Sequence, residues 1–329
     1  MKLTLSNHSS YPRIGDTADL QLLRRTITQR DKGTMKDENV HAAEDRMTEL
    51  ALSEQIEAGL DIVTDGQIRW YDPVSHLAAK LAGVQINGLL RFFDTNFYFR
   101  QPVVESPPRR TQPLLVEEFT FAKAKSSRPV KAVVTGPYTL ARLSLEQNGR
   151  PHGFEKRLKS YATALAEEVS ALAEAGADWI QVEEPSLLRC PEDFPRVEEG
   201  LKALAQHKGA ARLALTTYFG DAAPLYEKLQ TLPVEMIGLD FTYNPGLADV
   251  IAFAGSSKTL GLGLVDGRNT KLEEPAAVAR QLERIARGPG VQEAHLTTSC
   301  GLEYLPRDRA QLKLKHLVTL KNTFAGSGE

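Results

Sequence analysis

The sequence predicts a (β/α)8 barrel, and three observations carry that prediction. Short apolar runs alternate with longer helical patterns eight times along 329 residues, without long structureless gaps, as in a parallel sheet wrapped by helices. The runs end abruptly in polar residues, most visibly where Trp179-Ile180-Gln181-Val182 meets Glu183-Glu184-Pro185; an apolar run bounded by breakers reads as a buried parallel strand. The turn after the first run is Ser9-Ser10-Tyr11-Pro12-Arg13, not the glycine-rich phosphate turn of a doubly wound open sheet.

Taken in order, residues 2–6 form the first strand. Residues 37–59 form an amphipathic helix closed by glycine. The second strand, 60–64, ends in Asp65-Gly66-Gln67-Ile68-Arg69-Trp70. Alternation over about 84–104 predicts a β-hairpin insertion after that strand. Its Phe93, Phe97, Tyr98 and Phe99 suit a stacking surface, a lid or an oligomer contact. A loop at 107–110 and a helix over 114–125 precede the third strand, 130–135. The motif Gly136-Pro137-Tyr138-Thr139 follows; it serves either close approach of a ligand or a plain strand-to-helix turn. A helix over 154–175 leads to the fourth strand, 177–182. The remaining strands are 211–217, 236–239, 259–265 and 295–298, separated by helical stretches at 197–207, 221–229, 247–254 and 275–287 and closed by a helix at 307–324. One barrel over 1–329, interrupted by the hairpin, is the expected organisation.

Composition narrows the function classes. A net charge of −2 gives no electrostatic footprint for nucleic acid or an anionic membrane. The N-terminus lacks the apolar core of a signal peptide, and no apolar run is long enough to span a bilayer. Two cysteines, Cys190 and Cys300, make no disulfide framework, so a reducing cytoplasm is the expected setting. Cys190 falls in the loop after the fourth strand and reads as inert, and His295 reads as a core histidine.

In such barrels the active site lies at the C-terminal ends of the strands. Those ends carry His8 and Ser10; Asp65, Gln67 and Arg69; Gly136 and Thr139; Glu183 and Glu184; Thr216, Thr217 and Tyr218; Asp240; Asp266, Arg268 and Asn269; and Cys300. Acids, hydrogen-bonding groups and two arginines suit a small zwitterion, whose ammonium needs carboxylates and whose carboxylate needs a guanidinium or backbone N–H groups. Neighbouring residues on a strand face opposite sides, so at least one of Glu183 and Glu184 looks into the mouth. The alternative is that both are rim acids held by arginines or backbone amides.

Seven of these segments, in order, resemble the cobalamin-independent methionine synthase family. They are Ser10-Tyr11-Pro12-Arg13-Ile14-Gly15, Thr64-Asp65-Gly66-Gln67, Thr135-Gly136-Pro137-Tyr138-Thr139, Ile180-Gln181-Val182-Glu183-Glu184-Pro185, Leu215-Thr216-Thr217-Tyr218-Phe219-Gly220, Val265-Asp266-Gly267-Arg268-Asn269 and Thr298-Ser299-Cys300-Gly301. Full-length members carry two barrels, and this chain has the length of one. The resemblance implies transfer of a methyl group from a methylfolate, or a methylated corrinoid protein, to the thiol of homocysteine. It also implies zinc, which deprotonates a coordinating thiol.

Of the family's zinc ligands only Cys300 has a counterpart. Thr216-Thr217-Tyr218 stands where His-x-Cys is expected, and Asp240 where a glutamate is. Thr217-Tyr218-Phe219 and Val265-Asp266-Gly267-Arg268-Asn269 are more similar to the family's N-terminal barrel, which carries no zinc. By the resemblance, Glu183 and Gln67 hold the substrate's amino group, the Ser10 region holds its carboxylate, and Asp240 and Arg268 complete the binding set. Asp266 and Glu184 are the candidate proton-handling groups, and Cys300 the candidate metal ligand. Two alternatives remain open: a zinc-independent enzyme of other one-carbon or carbon–sulfur chemistry, and a non-catalytic homologue.

Overall fold

A computed structural model describes residues 1–146 and 153–326. The chain opens with β1 (Lys2–Leu5), α1 (Leu22–Asp31), α2 (Asp37–Glu57) and α3 (Ser75–Ala78). A hairpin, β2 (Ala82–Arg91) and β3 (Tyr98–Arg109), precedes α4 (Val116–Lys125), β4 (Ala132–Thr135), α5 (Pro137–Leu143) and β5 (Leu145–Glu146). Then come α6 (Phe154–Glu174), β6 (Trp179–Glu183), α7 (Phe194–Ala205), β7 (Arg212–Thr216) and α8 (Tyr226–Leu229). The last elements are β8 (Met236–Asp240), α9 (Leu247–Ala254), β9 (Thr259–Val265), α10 (Pro275–Ala286), β10 (Glu293–Thr298) and α11 (Arg307–Gly326). No helix among the described residues is long and apolar enough to cross a membrane.

Seven strands pair in parallel in the order β1-β10-β9-β8-β7-β6-β4. The eighth place belongs to Ile62 and Val63, which make parallel bridges to Ser6 and Val130. Ile62 N donates to Leu5 O (3.1 Å), and Lys131 N to Val63 O (2.8 Å). The ring therefore closes as a (β/α)8 barrel. The strand expected at 60–64 is cut short because side chains take over its backbone. The Gln55 amide pairs with both N and O of Thr64 (3.0 and 2.9 Å), as a neighbouring strand would, and Asp61 accepts from Leu5 N (2.8 Å).

Every residue of β4, β6 and β8 is buried, as continuous apolar runs covered on both faces require. Ile62, Trp179, Ala214 and Met236 form a small apolar cluster apart from the main core. Above it, Lys131 Nζ donates to Asn7 O (3.0 Å) and to Gln181 Oε1 (2.5 Å), and Gln181 Nε2 donates to Glu183 Oε1 (2.9 Å). His295 is buried edge-on to Trp179, with ring centroids 5.4 Å apart.

The hairpin is longer than the alternation over 84–104 implies, because β3 runs on through Pro107 and Pro108. The strand register shifts between Ala82 and Val84, opposite that stretch, and a bulge is where a residue without an N–H is tolerated. The hairpin tip folds over the barrel mouth. Phe92 and Phe93 pack on Phe219 (centroids 6.2 and 5.8 Å), and Phe97 packs on Tyr304 (5.0 Å). Asp94 accepts from Tyr243 OH (3.0 Å) and pairs with Arg189 (3.3 Å) and Arg268 (3.5 Å). Phe93 and Phe97 thus pack onto the barrel mouth, and Tyr98 is exposed.

Each partly exposed ion pair at Asp94 is worth about 0–1 kcal/mol. Asp94→Ala should therefore speed amide exchange at the hairpin tip by roughly 3- to 10-fold and leave the barrel strands unchanged. Equal exchange in both proteins would show that Asp94 does not hold the tip.

Candidate functional site

Along β6, side chains alternate between two faces. Trp179, Gln181 and Glu183 share the inner face, and Ile180, Val182 and the following Glu184 the outer one. The adjacent glutamates therefore have different fates. Glu184 accepts from Tyr138 N (2.9 Å), Thr139 N (2.7 Å) and Thr139 Oγ1 (2.6 Å), which holds the start of α5 against β6. Its carboxylate presses on Gly136 so closely that any Cβ there would collide with it. The glycine of Gly136-Pro137-Tyr138-Thr139 thus serves this turn. Burial pushes Glu184 up from 4.5 to about 7, against the pull of those hydrogen bonds.

Glu183 lies on the inner side, accepting from Tyr218 OH (2.9 Å) and Gln181 Nε2 (2.9 Å). Burial raises its pKa, opposed by these bonds and by Lys131. Lys131 itself is pushed down by burial to about 7. His8 Nδ1 stands 3.5 Å from Glu183 Oε1, and burial holds its imidazole in the neutral form.

A cavity of about 730 Å³ opens beside this layer. Its walls come from the loop after β1 (Ser10, Tyr11, Arg13), from α1 (Leu23, Arg24, Ile27), from the turn after Val63 (Gly66, Gln67, Trp70, Tyr71), from Phe97 of the hairpin, and from the loop after β10 (Glu303, Tyr304, Arg307). Buried atoms of these residues lack partners among the described residues: Ser10 Oγ, Arg13 Nη2, Gln67 Nε2, Glu303 Oε2 and Arg307 Nη2. Buried polar groups are almost always paired, so five orphaned atoms among the residues that line one cavity make it the candidate site for a polar ligand. Gln67 adopts a left-handed backbone (φ 52°), an uncommon conformation for a residue with a side chain. Asp65 Oδ1 accepts from its N–H (3.0 Å).

Ser10 and Gln67 line this cavity, whereas Glu183, Glu184, Asp240, Asp266, Arg268 and Cys300 do not. Asp240 accepts from Phe219 N (3.1 Å), Thr242 N (2.8 Å) and Thr242 Oγ1 (2.6 Å). Asp266 Oδ1 accepts from Arg268 N (2.8 Å), within its own turn. The Arg268 guanidinium donates to Tyr243 OH (3.0 Å) and lies over the Phe219 ring (4.9 Å). Cys190 lies after β6, with Arg142 Nη2 3.1 Å from its sulfur.

The residues present do not fit the zinc that the resemblance implies. A zinc site takes three or four protein ligands. Among the described residues the buried Cys300 thiol has only Ser299 Oγ (3.9 Å) and Gly301 O (3.4 Å) as hydrogen-bond partners, and burial raises its pKa, disfavouring the thiolate. The oxygens of Asp240 are committed elsewhere, and Thr216 and Tyr218 occupy the other expected positions. Among the described residues no three His, Cys, Asp or Glu side chains are grouped to hold a metal.

Arg13, Glu303 and Arg307 received no role from the sequence. Arg13 lies in the segment Ser10-Tyr11-Pro12-Arg13 after β1. Glu303 and Arg307 lie beyond the strand end at Cys300, where a search confined to strand ends stops.

Fold and site together define a (β/α)8 barrel with a cavity at the C-terminal ends of its strands and a hairpin packed over its mouth. Residues 81–288 match the family model described as the cobalamin-independent synthase N-terminal domain. The chain is 31% identical over 315 residues to a methionine synthase of Saccharolobus solfataricus, covering 94% of this chain and 91% of that one. It is 32% identical over 319 residues to the methionine synthase of Sulfurisphaera tokodaii, covering 94% and 88%. A B12-independent methionine synthase from a Shewanella species, solved with selenomethionine, superposes with a TM-score of 0.80 over 99% of both chains at 22% identity. This chain belongs to the cobalamin-independent methionine synthase family.

Glu184 offers a direct test of how the mouth is built. Replacing it with alanine orphans three donors, so Glu184→Ala should cost about 3 kcal/mol or more. Because its value rises from 4.5 to about 7 in the folded state, its contribution is full below pH 4.5 and is lost as pH rises through 7. In urea unfolding, Glu184→Gln should therefore decline less steeply than wild type between about pH 5 and about pH 8. Parallel profiles would contradict this placement.

Proposed function

We propose that the chain is a methyltransferase that moves a methyl group to the thiol of homocysteine, binding the amino acid in the cavity beside Ser10 and Gln67. The unpaired polar atoms on that wall carry the proposal. Family membership supplies the class of reaction, and the relatives named methionine synthase supply the acceptor. Arg13 and Arg307 each have an unpaired guanidinium nitrogen for a carboxylate, a pairing that suits the fork geometry of arginine. The Gln67 amide and Ser10 hydroxyl serve the polar end of the substrate, and Glu183 stands behind them as the counter-charge for its ammonium.

Asp240 and Arg268 act from behind, by fixing the loops after β7 and β9. Glu184 positions α5. A thiol with an ordinary value near 8.5 becomes a better nucleophile beside positive charge, and the arginines of this wall supply that charge. No step passes through zinc, because the donor set does not suit it. The donor is a methylfolate or a methylated corrinoid. The cavity holds more than one amino acid would fill, which leaves room for part of a second reactant.

Calorimetric titration with L-homocysteine tests the assignment. Gln67→Ala and Ser10→Ala should each weaken binding roughly 5- to 20-fold, with melting temperature little changed. Glu183→Ala should weaken binding further. Wild-type affinity in Gln67→Ala would remove the cavity from substrate binding.

A further inference from the structure

Methyl transfer from nitrogen has a requirement that transfer from cobalt lacks. When the C–N bond breaks, its electron pair stays on nitrogen, and the amine becomes a good leaving group only if a proton reaches it. A cobalt-borne methyl leaves its electron pair on the metal and needs no proton. This inference rests on the methyl-transfer reading above and asks which residue of this chain would supply the proton.

The cavity wall narrows the choice. Arg13, Arg24 and Arg307 do not release protons at neutral pH. Asp16 faces solvent, and Tyr71 is exposed, its ring covered by Arg13 and Arg100. Asp72 accepts from Val74 N (2.9 Å), Ser75 N (2.6 Å), Ser75 Oγ (2.5 Å) and Arg100 N (3.1 Å). Burial holds the phenols of Tyr11 and Tyr304 far above their ordinary range. Glu303 is left. Among the described residues its buried Oε2 has no hydrogen-bond partner, Tyr304 shares a hydrogen bond with its carboxyl, the residue lines the cavity, and a Cβ on Gly301 would collide with both Glu303 Oε2 and Ser10 Oγ. The glycine thus brings the acid and the substrate-binding hydroxyl onto one spot.

We propose that Glu303 is the catalytic acid that protonates the nitrogen of an N-methyl amine donor as its methyl group passes to the thiolate. The sulfur lone pair forms the S–CH3 bond, the C–N pair stays on nitrogen, and the Glu303 proton completes the N–H bond, leaving a carboxylate. The proton lost by the next homocysteine thiol restores Glu303. In sum the thiol hydrogen moves to nitrogen and the methyl to sulfur, with no oxidant or reductant.

The groups facing this acid are Glu183 from β6, Tyr218 from the loop after β7, Ser10 from the loop after β1, and Cys300 and Tyr304 from its own loop. Burial, together with the Glu183 carboxyl, pushes Glu303 up to about 8. The acid is therefore protonated at neutral pH and loses its proton as pH rises through that value.

The test uses the whole chain with homocysteine and, in separate assays, methyltetrahydrofolate or methylcobalamin. With methyltetrahydrofolate, Glu303→Gln should lower kcat about 100-fold or more, move KM for homocysteine less than about threefold, and abolish the fall in wild-type kcat above about pH 8. Glu303→Asp, which keeps an acid, should restore part of the rate and part of the pH limb, and serves if the glutamine variant does not fold. Wild-type kcat and an unchanged pH limb in Glu303→Gln would overturn the role of Glu303 while leaving methyl transfer standing. Wild-type turnover with methylcobalamin alone would overturn it too. Turnover with neither donor would remove the methyl-transfer reading, and the assignment with it.

Discussion

Strand β6 sends its side chains alternately into the barrel and out towards the helices, and at its end that alternation falls on two carboxyl groups. Glu183 is turned inward onto Tyr218 and Gln181. Glu184 is turned outward onto the amides that open α5. Neither group reaches bulk water. Burying a carboxylate costs far more than burying an apolar group unless hydrogen bonds compensate, so the mouth is built around satisfying these two groups. The outer one fixes the turn after β4. The inner one anchors a polar column that runs through Gln181 to Lys131.

The hairpin divides the mouth. Its aromatic tip packs over the loop after β7, where Phe219 receives Phe92 and Phe93. Its Phe97 forms part of the wall on the other side, where the cavity lies. The ends of β8 and β9 are thus spent on holding the lid, through Tyr243 and Arg268 against Asp94. The loops after β1, the Ile62–Val63 segment and β10 line the cavity. That division explains why residues at equivalent strand ends do unlike things.

Much of the barrel was legible in the sequence, because its period-two and helical patterns come from burial, which is local in the chain. The hairpin was legible for the same reason. The shortening of the second strand was not, since it depends on Gln55 reaching across from α2 to pair with Thr64. Of the residues expected at the site from strand-end position, Ser10 and Gln67 line the cavity. The opposite faces of Glu183 and Glu184 were foreseen from the pleat, and the amides now show what the outer one does. Asp240, Asp266 and Arg268 stand at strand ends as read, yet their bonds go to the rim: Asp266 to its own turn, Asp240 to Thr242 and Phe219, and Arg268 to Tyr243 and Asp94; no spacing rule reveals where a side chain turns. Glu303 and Arg307 escaped because they line the cavity from the loop after β10 and from the start of α11, beyond the strand end itself.

The most direct measurement is a crystal structure of the protein soaked with L-methionine, the product of the proposed transfer. Methionine should lie in the cavity between the loops after β1 and β10, its polar end against Ser10, Gln67 and Arg13 or Arg307, and its sulfur directed to the side of Glu303. Methionine held at the ends of β8 and β9, against Asp240 and Arg268 with the hairpin displaced, would contradict the cavity as the active site.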